Sequence, residues 1–400
     1  MNTSQANSMN SNNTIMSCAF LPVELIVEVL SYLPVKSLIR WKKVCKLWNT
    51  LISDPTFVEL HLQRSTRRNR HIAGVKYGPG CIVVTFPMNH LLENPSIKIA
   101  NNPYYRYQLN GNDCFRVVGS CNGLLCLVSH SSLFRPRNIW FHILNPATRK
   151  MSKIIGSFHQ PYEYRVPSKL KFAFGYDNST KTYKVVVLSS REVHVFSLGD
   201  NIWRKISSLT PFDHVVTRDL ASVNKGVYLS GTVNWFAIRN KLSYDNYPND
   251  ITVEQFVIIS LDLGTETYKQ LLLPRGVDEV PYVEPTIAVL MDCLCFSHHL
   301  KRTHFIIWQM MEFGVEQSWT QFLRISFQNL HVDARYSDWS NYQFMFPLCL
   351  SKNGDTLILA GSPRIDRAIL YNLRDNRAER ASKSVWCFCE DYAESLVSIR

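Results

Sequence analysis

A short strand-turn-strand unit, with glycine in four of its five copies, recurs along most of this chain: Gly119 to Val128, Phe172 to Leu188, Gly226 to Ile238, Thr286 to Phe296 and Phe344 to Ala360. Each unit is rich in Val, Ile, Phe and Tyr and is bounded by Gly, Pro, Asn or Asp, which is the pattern of strands and turns. A second extended run follows each one, at Trp140 to Ile154, Val193 to Ile206, Phe256 to Leu273, His304 to Ile325 and Ala368 to Glu379. The units start roughly 50 to 60 residues apart, and self-similarity at a fixed period marks sheets that bury their apolar faces only by stacking on their neighbours.

That interval is close to the length of a kelch-type propeller blade. Residues 81–400 are therefore expected to form an all-β, β-propeller-like closed array, which leaves only short, protected edges. Strands near residues 81–118 and 385–399 are expected to complete a shared blade. The Gly-Gly pairs of kelch repeats are missing, so the blade count stays open and a large β-sandwich stands as the alternative.

The amino end follows a different rule. Residues 1–18 are rich in Asn, Ser, Thr and Met and read as a disordered tail without a signal peptide. From Leu21 the pattern is helical. Pro22 suits a first helical turn, and Ile26, Val29, Leu30 and Leu33 form an apolar stripe. Leu21, Leu25 and Val27 make most of the remaining circumference apolar as well. A helix apolar nearly all round must be buried on several sides. Pro34 ends it, a second helical pattern runs from Val35 to about Trp48, and a third helix begins at Asp54-Pro55, a cap followed by a proline. Three helices in about 45 residues are too small a unit to be securely stable alone. They read as a docking module over residues 19–62 that a partner completes. The basic and glycine-rich stretch of residues 63–80, with Arg64, Arg67, Arg68, Arg70 and His71, reads as a linker.

The segment LPVELIVEVLSYLPVKSLIRWKKVCKLWNTLISDPTFVELHL resembles the plant F-box in its two Leu-Pro pairs, its Lys-Ser-Leu, its Val-Cys-Lys-x-Trp and its closing Asp-Pro-x-Phe. The later segments SCNGLLCL, ILNPATRK, FGYDNSTKTYKVV, VFSLGDNIWRKI, GTVNWFA and YAESLV resemble the F-box-associated domain of large plant families, including the S-locus F-box and F-box/kelch-repeat groups. The resemblance implies a non-catalytic substrate-recognition subunit of an SCF-type cullin-RING ubiquitin ligase. Its helices would dock on a Skp-type adaptor, and through it on cullin and RING subunits. Its β domain would capture a protein target. The adaptor face it implies comprises Leu21, Pro22, Leu25, Ile26, Val29, Leu30, Leu33, Pro34, Leu38 and Trp48. Loop aromatics Tyr162, Tyr164, Tyr244, Tyr247 and Tyr282 are the candidates for target contact, because aromatic residues anchor interfaces.

Enzymatic readings find no support in the sequence: there is no nucleophile elbow, phosphate-cradling loop or zinc-protease helix. Gly119-Ser120-Cys121-Asn122-Gly123 reads as a hairpin turn with Asn-Gly at its tip. His298, His299 and His304 read as part of a turn between blades and not as a metal site. Trp203, Trp235, Trp308 and Trp319 read as core or blade-packing residues. No cofactor is expected.

The 11 cysteines show no zinc-ligand spacing, so they are expected to be reduced thiols in a cytoplasmic or nuclear protein. No apolar run approaches the roughly 20 residues of a membrane span. A formal net charge of +12 keeps a nucleic-acid-binding β protein as the alternative function. The basic residues are scattered, however, and form no long basic arm.

Overall fold

The computed structural model of the 400-residue chain describes residues 21–68, 70–76, 81–95, 106–109, 114–130, 138–159, 170–188, 192–206, 225–239, 251–281, 283–301, 303–331, 345–361, 368–381 and 389–399. The expected tail, residues 1–18, lies outside the described residues.

The helical region contains four helices where the periodicity suggested three. Helix α1 (Val23–Leu30) follows Pro22 and ends in a turn closed by the Leu33 amide, which donates to the Leu30 carbonyl at 3.0 Å just before Pro34. The pattern from Val35 to Trp48 is divided into α2 (Val35–Trp41) and α3 (Lys46–Ser53). Between them Cys45 is extended, and its thiol accepts the Trp48 amide at 3.5 Å. A continuous helix would set Trp41 and Trp48 about 10 Å apart along its axis. The break instead brings their ring centroids to 5.1 Å.

Helix α4 (Pro55–Arg68) starts where Asp54-Pro55 predicts, with Asp54 Oδ1 accepting the Thr56 amide at 2.8 Å. It then runs on through the stretch read as a linker, and the strand Arg70–Lys76 follows it. The reason is burial. Phe57, His61 and Ser65, four residues apart on one face of α4, are all buried, and the strand carries the buried run Ile72, Ala73, Gly74 and Val75. The basic residues of this stretch take part in that packing: Arg64 and Arg70 are half-buried and His71 is buried.

The β domain is a six-bladed propeller. Blades 2 to 6 each begin with one of the recurring hairpins, whose inner strands are Cys114–Cys121, Lys171–Asp177, Val227–Leu229, Thr286–Leu290 and Met345–Leu350. Blade 1 joins the two ends of the domain. Arg70–Lys76, Ile82–Pro87 and Arg106–Gln108 take as their inner strand Glu390–Ala393, with Arg70 paired to Ala393 and Ala73 to Glu390. The shared blade is thus present, although it draws on a strand before residue 81, and Cys114–Cys121 belongs to blade 2.

The inner strands touch in cyclic order around the axis, so the sheets form a ring and not the two faces of a sandwich. Six apolar clusters fill the six spaces between successive blades. Trp235 lies buried between blades 3 and 4. Trp203 packs on Phe141, Phe158 and Phe196, with centroids 5.2 to 6.1 Å apart.

His298 and His299 are not in a turn. They occupy the strand Cys293–Leu300 and face opposite blade interfaces. His298 accepts a hydrogen bond from Trp308 Nε1 at 3.3 Å, and His299 lies against Phe305 and Phe327. Burial pushes the His298 imidazole down to about 4 and that of His299 to about 3, so both are neutral near pH 7. Among the described residues no group of His, Cys, Asp and Glu could hold a metal ion. Buried Cys295, Cys349 and Cys389 have their thiols pushed up to about 12 by burial, and Cys293 is half-buried. Cys387 lies outside the described residues.

Candidate functional site

Helix α1 has two unlike sides. Towards the protein, Leu30, Val35, Leu38, Ile52 and Phe57 are buried, with Ile26, Leu33, Trp41 and Trp48 packed around them. Away from it, Leu21, Leu25 and Val29 stand four residues apart along one stripe and are 63%, 50% and 59% exposed. Tyr32, Val44 and Leu47 are exposed too. Full burial of one Leu or Val is worth about 1.5–3 kcal/mol, so this stripe is costly to leave in water.

The ten residues expected to serve docking therefore divide by position. Leu21, Pro22, Leu25, Val29 and Pro34 are exposed, Ile26, Leu33 and Trp48 are half-buried, and Leu30 and Leu38 lie inside as supports. Val44 and Leu47, exposed on the same helical unit, are not among those ten. Reading the break at Cys45 would have placed Leu47 in the first turn of a new helix instead of inside an old one.

The helices are seated on the propeller. Helix α4 lies against the strands Arg70–Lys76 and Glu390–Ala393. Arg64 ties α4 to α1 through Glu28 at 2.6 Å and lies 4.2 Å above the Tyr32 ring. His61 meets the Leu33 carbonyl at 2.9 Å, and burial pushes its imidazole below the ordinary histidine range. Ala147 and Leu396, from the propeller side, complete the helical core.

Beside this seat, a cavity of about 630 Å³ opens between α4 and the turns of the inner hairpins, lined by Gln63, Arg64, Asn122, Met291, Asp292 and Asp391. Deeper along the axis the inner strands leave only about 100 Å³. There Gly226 allows Trp235 and Ala173 to approach closely, and Lys225 pairs with Glu390 to link the approach to blade 4 with the closing strand of blade 1.

Tyr162, Tyr164, Tyr244, Tyr247 and Tyr282 lie outside the described residues. The strands that flank these positions are described. Antiparallel pairing makes Ile155–His159 and Thr232–Ile238 end, and Lys171–Asp177 begin, at the face away from the helices.

Residues 18–61 match the F-box-like family, and residues 82–399 match the F-box associated beta propeller domain. This chain belongs to the F-box proteins with an F-box-associated β-propeller. It is 30% identical to an F-box/kelch-repeat protein of Arabidopsis thaliana, over 76% of this chain and 79% of the relative. It is 24% identical to the F-box protein CPR1 of Arabidopsis thaliana, over 85% of this chain and 79% of that one.

In this F-box protein several shared motifs brace the fold. In FGYDNSTKTYKVV, Asp177 accepts from the Ser179 amide at 2.8 Å and from the Ser179 and Thr180 hydroxyls at 2.7 Å. It also pairs with Lys184 at 3.0 Å, and Lys184 reaches across to Glu266 of blade 4 at 3.0 Å. Burial works to raise the Asp177 carboxyl. Its hydrogen bonds from Ser179, Thr180 and Lys184 outweigh burial and hold it well below the usual carboxylate range. In SCNGLLCL, Asn122 and Gly123 both take positive φ, 51° and 77°, as a two-residue hairpin turn requires.

Proposed function

We propose that this F-box protein is the substrate-receptor subunit of an SCF-type ubiquitin ligase. The stripe Leu21, Leu25 and Val29, with Val44 and Leu47, docks on the Skp-type adaptor, and the adaptor carries the cullin and RING subunits. The propeller holds a target protein at the face away from the helices, where Tyr162, Tyr164, Tyr244, Tyr247 and Tyr282 are the proposed contacts. Ubiquitin transfer needs no catalytic group from this chain. Its part is to raise the effective concentration of target lysines near the charged conjugating enzyme. The chain works in the cytoplasm, the nucleus or both.

One observation carries this reading. The helical unit puts twelve apolar residues into its own core and keeps seven, Leu21, Val23, Leu25, Val29, Tyr32, Val44 and Leu47, facing water, and six closed blade interfaces offer those seven no place. Contiguous exposed apolar surface of this kind marks an interaction site. The test is co-purification of the full chain with a Skp-type adaptor and a cullin. Wild type retains the adaptor through size exclusion at micromolar concentration. Failure of the folded wild-type chain to bind would end the proposal, and salt-sensitive retention of nucleic acid in its place would favour the basic β-protein reading.

A further inference from the structure

The propeller is closed by Glu390–Ala393, yet the residues just beyond that strand are buried. Glu394, Ser395 and Leu396 are 6%, 0% and 8% exposed. We infer that this C-terminal segment, residues 394–397, is a splint that locks the F-box to the propeller and sets the angle between them. It rests on the receptor reading above for its purpose, and on geometry for its existence.

The segment is held from two sides. On the propeller side the buried Asn145 amide donates to the Ser395 carbonyl at 3.1 Å and the Val397 carbonyl at 2.9 Å, while its own oxygen accepts the Thr148 amide at 3.1 Å. Val397 and Ile399 pack into the space between blades 2 and 3. Gly123 presses so close that a Cβ there would meet Ser395 Oγ at 2.4 Å. On the helical side Leu396 joins the core formed by Leu30, Val35 and Leu38. Glu394 accepts the Val35 amide at 3.4 Å, a bond across 359 positions of sequence, and its other oxygen faces His71 at 3.7 Å.

Leu396 packs into the F-box core and its neighbour Val397 into the space between blades 2 and 3, so successive residues grip the two parts of the molecule. Two motifs far apart in the sequence, ILNPATRK and YAESLV, thereby meet at one joint. Asn145 and Leu396 are positioning residues: they touch neither adaptor nor target in this reading, but fix where the far face of the propeller points once the F-box is docked. Without the splint the remaining attachments are α4 against blade 1 and Ala147 in the helical core.

The test measures orientation on the full chain, with spin labels on genetically encoded ketone residues at exposed Lys43 and Met311. Wild type gives one narrow distance distribution. The variant Asn145→Ala with Leu396→Ser broadens it at least twofold, while adaptor affinity stays within about twofold of wild type. In a reconstituted ligase the same variant spreads self-ubiquitination over more lysines than wild type, a change that simple loss of stability does not produce. A chain truncated after Ala393 serves as the second variant if the first fails to fold. An unchanged narrow distribution in either folded variant overturns the splint. If wild type does not bind the adaptor, the receptor reading fails, and the distance measurement still decides the role of the segment.

Discussion

The F-box and the propeller bury apolar residues by opposite strategies. In the propeller each sheet covers its neighbour, the last strand covers the first, and every space between blades is filled from both sides. In the F-box the helices cover one side of themselves and leave Leu21, Leu25, Val29, Val44 and Leu47 to water. Closure makes the propeller self-sufficient, whereas incompleteness makes the F-box a docking unit. The same residue type therefore carries different weight in the two regions. A buried leucine or tryptophan in a blade is a stability residue, and in the proposed function an exposed leucine on α1 is an affinity residue.

The sharpest break of that contrast is Trp235→Ala. Trp235 is 1% exposed between blades 3 and 4, and its loss should cost about 3–5 kcal/mol by denaturant unfolding while leaving the α1 stripe intact in the molecules that remain folded.

Next in size is an acid sensitivity carried by the buried histidines of the propeller, to which His61 of α4 adds in the same direction. His298 in the folded chain titrates near 4, depressed by burial, against about 6.5 in an unfolded chain. A histidine with a lowered folded value contributes fully above about pH 6.5 and loses that contribution as pH falls towards 4. The loss over that window is roughly 3 kcal/mol for His298 alone. His299, lowered to about 3, extends the loss in the same direction and to lower pH. Unfolding curves across pH 7 to 4 should show this slope, and His299→Gln should flatten it. Asp177 acts further down. Its depressed carboxyl supports the fold above about pH 4, its unfolded value, and that support is lost at lower pH as it protonates.

Leu25→Asp with Val29→Asp should lower adaptor affinity about 100-fold, equivalent to roughly 2.7 kcal/mol, by calorimetric titration. The same pair should leave unfolding stability within about 0.5 kcal/mol, as exposed substitutions do. Smallest of all is Met311→Ser on blade 5, 60% exposed like the α1 residues. Here both stability and adaptor affinity should stay within about 0.5 kcal/mol. Loss of affinity there would mean that exposed apolar residues act alike wherever they sit, and the contrast between the two regions would dissolve.

How much of this was legible in the sequence follows from the same contrast. The five recurring hairpins became blades 2 to 6 because a period-two run bounded by turn residues is a local signal. Blade 1 hid its extent, since its inner strand comes from the far end of the chain and its next strand, Arg70–Lys76, carries glycine and basic residues that mimic a linker. The division of α2 from α3 escaped periodicity because it depends on a packing contact, Trp41 against Trp48, that spacing alone does not encode. The α1 stripe was legible as excess hydrophobicity. Which of its residues face outward was not, since that required knowing that Ala147 and Leu396 approach from one side.

Hydrogen exchange of the full chain with and without a Skp-type adaptor tests the central claim most directly. Binding should slow exchange in residues 21–33 and 44–48 and leave blades 2 to 6 unchanged. Binding that slows exchange in the blades and leaves α1 as it was would contradict it.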